Sequence, residues 1–383
     1  AHLLRLLEEL PALPRLLSVM PNSGYPTMVA GRTYFESSAA YFAGCMARIA
    51  DKGAAILGGC CGTTPAYIAE TAKLLPQVGA AVLPRIEPAV PVPGSAENRG
   101  VLEQKLLEGR RIVAVELDPP VDADGSFFLE SAARLKALGV DAITIADCPV
   151  ARVRADSSML AAKLRRELDI DPIPHMTCRD RNLNASKALL LGLCMEGVRN
   201  LLVVTGDPVP NASRDEVKAV FNFNSAMLAG YVQTLGNELG SPFLIAGALN
   251  VNAANFDAEL EKALRKKENG VRLLLTQPVF TEEAVENLRR AREETGLWIL
   301  GGILPAVSYR NACYMHNEIS GIRLNEEILE QYRLAPDKEA AAQLGVELSL
   351  RTAERIAPYV NGYYLITPFK RIDLIEEIVR GIL

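Results

Sequence analysis

The sequence predicts an α/β protein built around a (β/α)8 TIM barrel, with a shorter β/α segment before it. Two observations support this prediction. After Val101, eight apolar strand-like runs alternate with amphipathic segments over about 280 residues, and a (β/α)8 barrel typically needs ~250. The first 80 residues show a β/α pattern that is too short to close a barrel. A doubly wound open sheet is the competing fold, but no Gly-rich fingerprint follows the first strand of the long alternation.

The amino-terminal segment is predicted to contain three helices and two short strands. The helices are expected at 3–10, 38–53 and 64–75, and the strands at 17–20 and 54–57. From Leu83 to Gly100 the chain is rich in proline and lacks periodicity, which is typical of an exposed linker. The predicted domain boundaries are therefore 1–80, 81–100 for the linker, and 101–383 for the barrel.

The eight barrel strands follow in order. They are expected near 112–117, 141–146, 172–177, 200–205, 243–248, 272–276, 298–303 and 361–366, with extra helices before the last strand. In the first helix between them, Ser126 is expected to be the amino-terminal cap and Gly139 to end the helix. The apolar side of this helix is predicted to consist of Phe128, Leu129, Ala132, Leu135 and Leu138.

The first barrel strand, within RIVAVELDPP, ends in a carboxylate. Its period-two alternation places Glu116 on the same face as Ile112 and Ala114, which are apolar. Glu116 is therefore either at a solvated strand end or in a partly closed site that raises its pKa. Pro119 and Pro120 end the strand and fix the direction of the following loop.

Polar residues recur at the predicted carboxyl ends of the strands, where barrels place their working groups. They are Glu116, Asp147, His175, Thr177, Thr205, Gly206, Asp207, Asn250, Thr276, Gln277 and Thr367. Each one alone could equally be a solvated loop residue or a helix cap, but the set is typical of a ligand cleft. His175 could be a core or capping imidazole, and its place at a strand end favours contact with a ligand.

Composition restricts the class of function. The net charge of −5 is made of interspersed charges, which argues against nucleic acid or an anionic membrane as a partner. There is neither a bilayer-spanning apolar run nor a secretory signal, and the seven scattered cysteines do not form a disulfide framework, so a cytoplasmic location is expected. No predicted strand ends in Lys, and three histidines are too few for a His-rich metal centre, which disfavours a Schiff-base aldolase and a metal hydrolase.

The motif GGCCGTTP contains adjacent thiols, Cys60 and Cys61, between glycines. Both could turn toward one tetrahedral zinc ion, which would need further ligands, and no third Cys or His lies nearby. Two small residues packed at a tight turn explain the pattern equally well.

GGCCGTTP, together with MPNSGYP and GRTYFES upstream, resembles the carboxyl-terminal end of the barrel of cobalamin-independent-type homocysteine S-methyltransferases. The resemblance implies that residues 1–80 are the carboxyl-terminal fragment of a second β/α barrel. It also implies that Cys60 and Cys61 bind zinc. That family takes its third cysteine from an earlier strand, so zinc is expected only if the missing third ligand is supplied.

From Val101 onward, VELDPP, PHMTCRD, TGDPVP, LTQPVF and GGILP stand in order at the ends of the first, third, fourth, sixth and seventh strands. They resemble methylenetetrahydrofolate reductase, a flavin-dependent (β/α)8 enzyme. The order of the two segments is similar to bacterial proteins that fuse both activities. The resemblance implies FAD as cofactor, NADH or NADPH as electron donor, and reduction of 5,10-methylenetetrahydrofolate to 5-methyltetrahydrofolate. It adds homocysteine as a partner of the full-length protein, and a homo-oligomer is expected.

The same resemblance assigns roles to individual residues. Glu116 matches the general acid that assists opening of the five-membered ring, and Asp207 matches the carboxylate that contacts the pterin near the flavin. Gln277 and Asn311 match folate contacts. Flavin-binding positions fall on His175, Thr205, Gly206, Asp207 and Lys266, with Lys266 near the cofactor's phosphates. Departures from the family pattern are Ala146, in place of a hydroxyl residue, and the stretch ALNVNAANF.

Two other functions are consistent with the sequence. The principal activity could be zinc-dependent methyl transfer to homocysteine, in which case this chain is a piece of that enzyme. Alternatively, the chain could be a non-catalytic flavin- or folate-binding subunit that needs a partner protein for electrons.

Overall fold

The computed structural model describes residues 2–9, 17–24, 26–29, 32–35, 37–75, 99–209, 218–319 and 321–383. The chain divides into two compact units, Ala1–Pro93 and Gly94–Leu383. Of the predicted linker, residues 81–98 lie outside the described residues, as do Tyr25, Gly31 and Glu36 of the amino-terminal motifs and Pro210 of TGDPVP.

The amino-terminal unit contains a two-stranded parallel sheet and a separate hairpin. Its elements are α1 (His2–Glu9), β1 (Leu17–Val19), β2 (Pro26–Val29), β3 (Arg32–Phe35), α2 (Ala39–Asp51), β4 (Ala54–Leu57) and α3 (Pro65–Leu74). Strand β1 pairs with β4 in parallel, whereas β2 and β3 pair antiparallel. The predicted helices and parallel strands are present within a few residues of their expected positions. The hairpin was not predicted, because strands of four residues are too short to show alternation.

The second unit is a closed barrel of eight parallel strands surrounded by helices. The order of its elements is α4 (Val101–Leu107), β5 (Ile112–Leu117), α5 (Ser126–Ala137), β6 (Ala142–Ile145), α6 (Ser157–Leu168), β7 (Asp171–Thr177), α7 (Leu183–Met195), β8 (Asn200–Val204), α8 (Ser225–Glu238), β9 (Leu244–Leu249), α9 (Phe256–Glu268), β10 (Leu273–Pro278), α10 (Glu282–Thr295), β11 (Trp298–Ile303), α11 (Tyr309–Glu318), α12 (Glu326–Leu334), α13 (Lys338–Ile356), β12 (Gly362–Ile366) and α14 (Ile372–Ile382). All eight predicted strands are present, and three helices precede the last. Because β12 pairs with β5 and closes the ring, the open-sheet alternative is wrong.

The predicted alternation of β5 is confirmed. Val113 and Val115 pack with the outer helices, whereas Ile112 and Ala114 pack inside the barrel. The inner core also includes Leu102 and Leu106 of α4. Helix α4 therefore contributes apolar side chains to the barrel interior, and the polar strand ends lie at the opposite, carboxyl-terminal mouth.

The strands meet closely at two places in the barrel, between β12 and β5 and between β11 and β10. A Cβ atom on Gly362 would lie 2.0 Å from the carbonyl oxygen of Ile112, and one on Gly302 would lie 2.4 Å from that of Thr276. Both obstacles are backbone atoms of the neighbouring strand. Only glycine fits at these positions without shifting the strand.

One predicted helix cap is wrong. Helix α5 has Gly125, not Ser126, at its amino-terminal cap, and Ser126 is the first helical residue. The backbone N–H of Ser126 donates to the carboxylate of Asp124 at 2.9 Å, so a preceding Asp side chain replaces the Ser hydroxyl. Gly139, with φ +93°, follows the helix as predicted.

No helix in the described part of the chain is both long enough and apolar enough to cross a membrane.

Candidate functional site

A cavity of about 540 Å³ opens at the carboxyl-terminal mouth of the barrel. Apolar side chains of the strands, including Leu202, Ala248 and Leu275, line it together with polar residues of the strand ends. Those polar residues are Glu116, Asp147, His175, Thr177, Asp207, Thr276, Gln277 and Tyr364. The combination of an apolar lining with a few converging polar groups is typical of a small-molecule site.

Glu116 lies at the end of β5 with its side chain 16% exposed. Burial raises the pKa of Glu116 to about 7, although a hydrogen bond from Tyr364 acts in the opposite direction and lowers this pKa. The hydroxyl of Tyr364, on the neighbouring strand β12, donates to Oε2 of Glu116. Thr144 is adjacent on β6, and its hydroxyl also lowers the pKa of Glu116. At neutral pH the carboxyl is therefore divided between its two protonation states, which is the condition for a general acid.

His175 faces the same carboxyl from β7. Its Nε2 lies 3.5 Å from Oε2 of Glu116, is buried, and has no hydrogen-bond partner among the described residues. Burial lowers the pKa of His175 to about 4. The imidazole is therefore neutral near pH 7 and forms no ion pair with Glu116, and Nε2 is a buried polar atom without a protein partner.

Asp147 is held by the protein itself. Its Oδ2 accepts hydrogen bonds from the backbone N–H of Thr177 at 3.0 Å, from the hydroxyl of Thr177 at 2.9 Å and from Nη1 of Arg181 at 2.7 Å. These bonds join the ends of β6 and β7. Asp147 therefore fixes the shape of the cavity.

Asp207 follows β8 and is exposed at the cavity. Its Oδ2 accepts from the backbone N–H of Val150 at 2.8 Å. The buried guanidinium of Arg179 donates to the backbone oxygens of Asp207 and Cys148, both at 3.3 Å. The preceding Gly206 has φ +91°, a conformation that favours glycine. Asp207 is thus held in place by two hydrogen bonds, one to its backbone oxygen and one to its Oδ2 atom.

The structure brings together only some of the residues predicted for the site. Glu116, His175, Gly206, Asp207 and Gln277 line the cavity. Thr205, at the end of β8, is exposed and is not among the lining residues.

Two predicted binding residues lie outside the cavity lining. Lys266 is buried on α9, and its ammonium donates to the carbonyl of Ala248 at 2.6 Å. The position of Lys266 near cofactor phosphates stays a prediction; in this structure its ammonium is directed to a backbone carbonyl. Asn311 accepts from the backbone N–H of Val307 at 3.1 Å, which stabilises the turn before α11. In this structure both side chains form hydrogen bonds to backbone groups of the barrel.

Tyr364 is the residue of the site that sequence reasoning missed. It stands in GYYLIT, where two tyrosines follow one another in an apolar strand. Alternation places Gly362, Tyr364 and Ile366 on one face, and Tyr364 and Ile366 line the cavity. This periodicity could have identified Tyr364, but only the closure of β12 onto β5 brings it to Glu116.

In the amino-terminal unit, Cys60 and Cys61 lie at an exposed turn with their Sγ atoms 3.8 Å apart. The MPNSGYP segment contacts this turn, because Pro21 O accepts from Cys60 N at 2.9 Å and Asn22 Oδ1 from Cys61 N at 3.2 Å. Two thiolates bound to one tetrahedral zinc at ~2.3 Å would be ~3.8 Å apart, so the spacing fits. Within the described ranges, no group of three His, Cys, Asp or Glu side chains could hold a metal.

A closed parallel barrel with converging polar groups in a cavity at its carboxyl-terminal mouth is the architecture of a (β/α)8 enzyme. The family model "Methylenetetrahydrofolate reductase" matches residues 101–382. The chain belongs to the methylenetetrahydrofolate reductase family. A second model, "Homocysteine S-methyltransferase", matches residues 1–75.

Curated relatives agree with the family. A "Probable methylenetetrahydrofolate reductase (NADPH)" of Caenorhabditis elegans is 24% identical, covering 73% of this chain and 43% of that protein. "Methylenetetrahydrofolate reductase 2" of Schizosaccharomyces pombe is 28% identical, covering 54% and 34%. The chain thus spans less than half the length of each. Among solved structures, tryptophan synthase from M. tuberculosis matches with a TM-score of 0.42 and 12% identity, over 74% of this chain and 98% of that one. A match this weak says nothing about the function of this chain.

Proposed function

We propose that the barrel catalyses flavin-dependent reduction of 5,10-methylenetetrahydrofolate to 5-methyltetrahydrofolate with electrons from NADH or NADPH. The observation that carries the proposal is the Glu116 carboxyl, whose pKa is raised to about 7 at the edge of a 540 Å³ cavity. Family membership supports the folate substrate, a flavin and a nicotinamide donor in general terms.

The cavity fits the ring system of a flavin. Ala146, Leu202 and Ala248 offer it a lining of small and apolar side chains, and the unpartnered Nε2 of His175 offers a polar contact among the residues described. His175, Gly206 and Asp207 would hold the cofactor, with Thr205 at the rim. When bound, FAD supplies the hydride chemistry.

Glu116 has the position and the pKa to protonate the substrate. Oε2 accepts from Tyr364, so in the protonated form of Glu116 the acidic proton would be on the other oxygen, Oε1, from which it would pass to the substrate. Opening the five-membered ring requires a proton on a poor amine leaving group, and an acid with a pKa near the working pH serves this best. The iminium formed by ring opening would be the acceptor for the hydride that a bound flavin would supply. Asp207 would accept hydrogen bonds from the donor edge of the pterin, and Gln277 would contact it through its amide.

The decisive experiment is the visible absorption spectrum of the purified protein during anaerobic addition of NADH or NADPH. A bound flavin should be bleached by one of them and recover its absorbance when methylenetetrahydrofolate is added. A protein that neither binds added FAD nor oxidises a nicotinamide contradicts the proposal. Bound flavin that resists both nicotinamides would indicate the non-catalytic subunit instead.

Replacing Tyr364 by Phe should move the pH dependence of flavin reoxidation by methylenetetrahydrofolate to higher pH. The hydrogen bond from Tyr364 lowers the pKa of Glu116, so its loss should raise this pKa further. The pH dependence of flavin reduction should stay unchanged, since that half-reaction needs no proton from Glu116. Tyr363→Phe is the matched control, because the Tyr363 hydroxyl donates to Ala353 O outside the cavity. An unshifted profile in the Tyr364 variant would remove Tyr364 from this role.

A second function is proposed for the longer protein, namely zinc-dependent methyl transfer to homocysteine. The 3.8 Å separation of the two thiols supports it. Metal analysis of this chain tests the site: stoichiometric zinc that is lost in Cys60→Ser would show that a third ligand is supplied. The domain boundaries, the homo-oligomer and the cytoplasmic location stay predictions.

A further inference from the structure

A second cavity, of about 290 Å³, lies beside the ends of β5 and β12. It is lined by Leu117, Asp118, Pro119, Pro120, Val121, Asp122, Asp124, Phe127, Phe128, Arg154, Thr367, Phe369 and Lys370. None of these described residues lines the larger cavity. Neighbours along a strand point to opposite faces, so Glu116 and Ile366 line the larger cavity whereas Leu117 and Thr367 line the smaller one.

Polar groups without partners lie in the lining of this second cavity. Thr367 is 8% exposed, and its buried hydroxyl has no hydrogen-bond partner in the described part of the protein. The Nε atom of Arg154 is buried and, among the same residues, likewise lacks a partner. Buried donors and acceptors are normally paired, so these two groups indicate a missing ligand or solvent contact. The Asp118 carboxyl is near Arg154, whose charge lowers the pKa of Asp118 against the raising effect of burial.

The walls of the cavity suit a planar ring. Phe127, Phe128 and Phe369 contribute aromatic faces or edges, and Pro119 and Pro120 add flat apolar surface. Phe369 is 66% exposed and has φ +54°, a strained conformation for a bulky residue. In this conformation the aromatic ring of Phe369 lies exposed at the cavity instead of in the core.

The remaining charges argue against a metal or a simple anion. The carboxylates of Asp122 and Asp124 accept from the backbone N–H groups of Asp124 and Ser126, and no three-ligand metal group is found within the described ranges. Lys370 also lines the cavity, but its ammonium is placed over the Phe127 ring, 5.3 Å from the centroid. An anion placed at Arg154 would also meet the carboxyl of Asp118. A neutral ligand edge that carries one acceptor and one donor would pair with both Arg154 and Asp118.

We propose that this cavity is a second binding site, which takes a neutral planar aromatic or heteroaromatic molecule with an amide-type edge. The ligand carbonyl accepts from Nε of Arg154 and the hydroxyl of Thr367. The ligand N–H donates to Asp118, and the ring lies between Phe127 and Phe369. The site is independent of the function proposed for the barrel mouth.

Benzamide is a minimal probe, and isothermal titration calorimetry on the full chain gives its affinity. Arg154→Met and Thr367→Val should each weaken binding about tenfold, the effect of losing one buried hydrogen bond. Arg152→Met is the matched control, because Arg152 is exposed on the same loop and does not line the cavity. It should bind as the wild type does.

The chemistry of the probe gives the second comparison. Benzoate and benzyl alcohol, which lack the amide edge, should bind more weakly than benzamide. Equal benzamide affinity in wild type, Arg154→Met and Thr367→Val would overturn the proposal, as would no detectable binding to any of them or tighter binding of benzoate.

Discussion

Replacing Glu116 by Gln should slow reoxidation of the reduced flavin by methylenetetrahydrofolate by about 10²–10⁴-fold, the usual contribution of a general acid. Glutamine keeps the size of the side chain but cannot release a proton. Reduction of the flavin by the nicotinamide needs no acid and should change by less than about twofold. Stopped-flow absorbance under anaerobic conditions separates the two half-reactions. Glu283→Gln, an exposed carboxylate on α10, is the control. Equal losses in both half-reactions would contradict the role of Glu116.

The same variant should unfold less readily than the wild type in alkaline solution. Folding raises the pKa of Glu116 from 4.5 to about 7, so protonation of this carboxyl stabilises the folded state. This contribution to the free energy of unfolding is complete below pH 4.5 and is lost as the pH rises through 7. A neutral glutamine avoids that loss, which amounts to about 3 kcal/mol at ~1.4 kcal/mol per pKa unit. Urea denaturation at about pH 8 and pH 4.5 measures the difference, which should vanish at the lower pH. A difference independent of pH would show that burial of the charge is not its cause.

Replacing Gly362 by Ala should destabilise the barrel by about 3–5 kcal/mol or prevent folding. The new Cβ would lie 2.0 Å from Ile112 O, and this obstacle is the backbone of the strand that closes the ring. Gly192→Ala on α7 is the control, because its Cβ meets no described atom within 4 Å and alanine favours a helix by about 0.5–1 kcal/mol. Urea denaturation compares both with the wild type. A Gly362 variant as stable as the wild type would mean that β12 can shift without opening the barrel.

The strands were predictable because their signal is local. Each is a short apolar run bounded by turn residues, and β5 also carries the alternation that directs Glu116 inward and Val113 outward. Strand ends fall at one mouth in any parallel barrel, so His175, Asp207 and Gln277 could be assigned to one cavity before the fold was known.

What escaped prediction depends on contacts distant in sequence. Tyr364 meets Glu116 only because the eighth strand of the barrel returns to the first. The resemblance expects Lys266 near cofactor phosphates, and it could not show that the packing of α9 on β9 directs the ammonium to Ala248 O. The Ser126 cap failed because the helix begins one residue earlier than expected: Gly125 is the cap, and the N–H of Ser126, as first helical residue, donates to the Asp124 carboxylate.

The separation of the two cavities has a consequence for protein engineering. Glu116 lines the larger cavity, whereas the next two residues, Leu117 and Asp118, line the smaller one. At this point the two cavities lie on opposite sides of the same strand end. A substitution chosen to widen substrate range on one side moves backbone shared with the other. Libraries that vary residues on both sides of β5 together take this shared backbone into account.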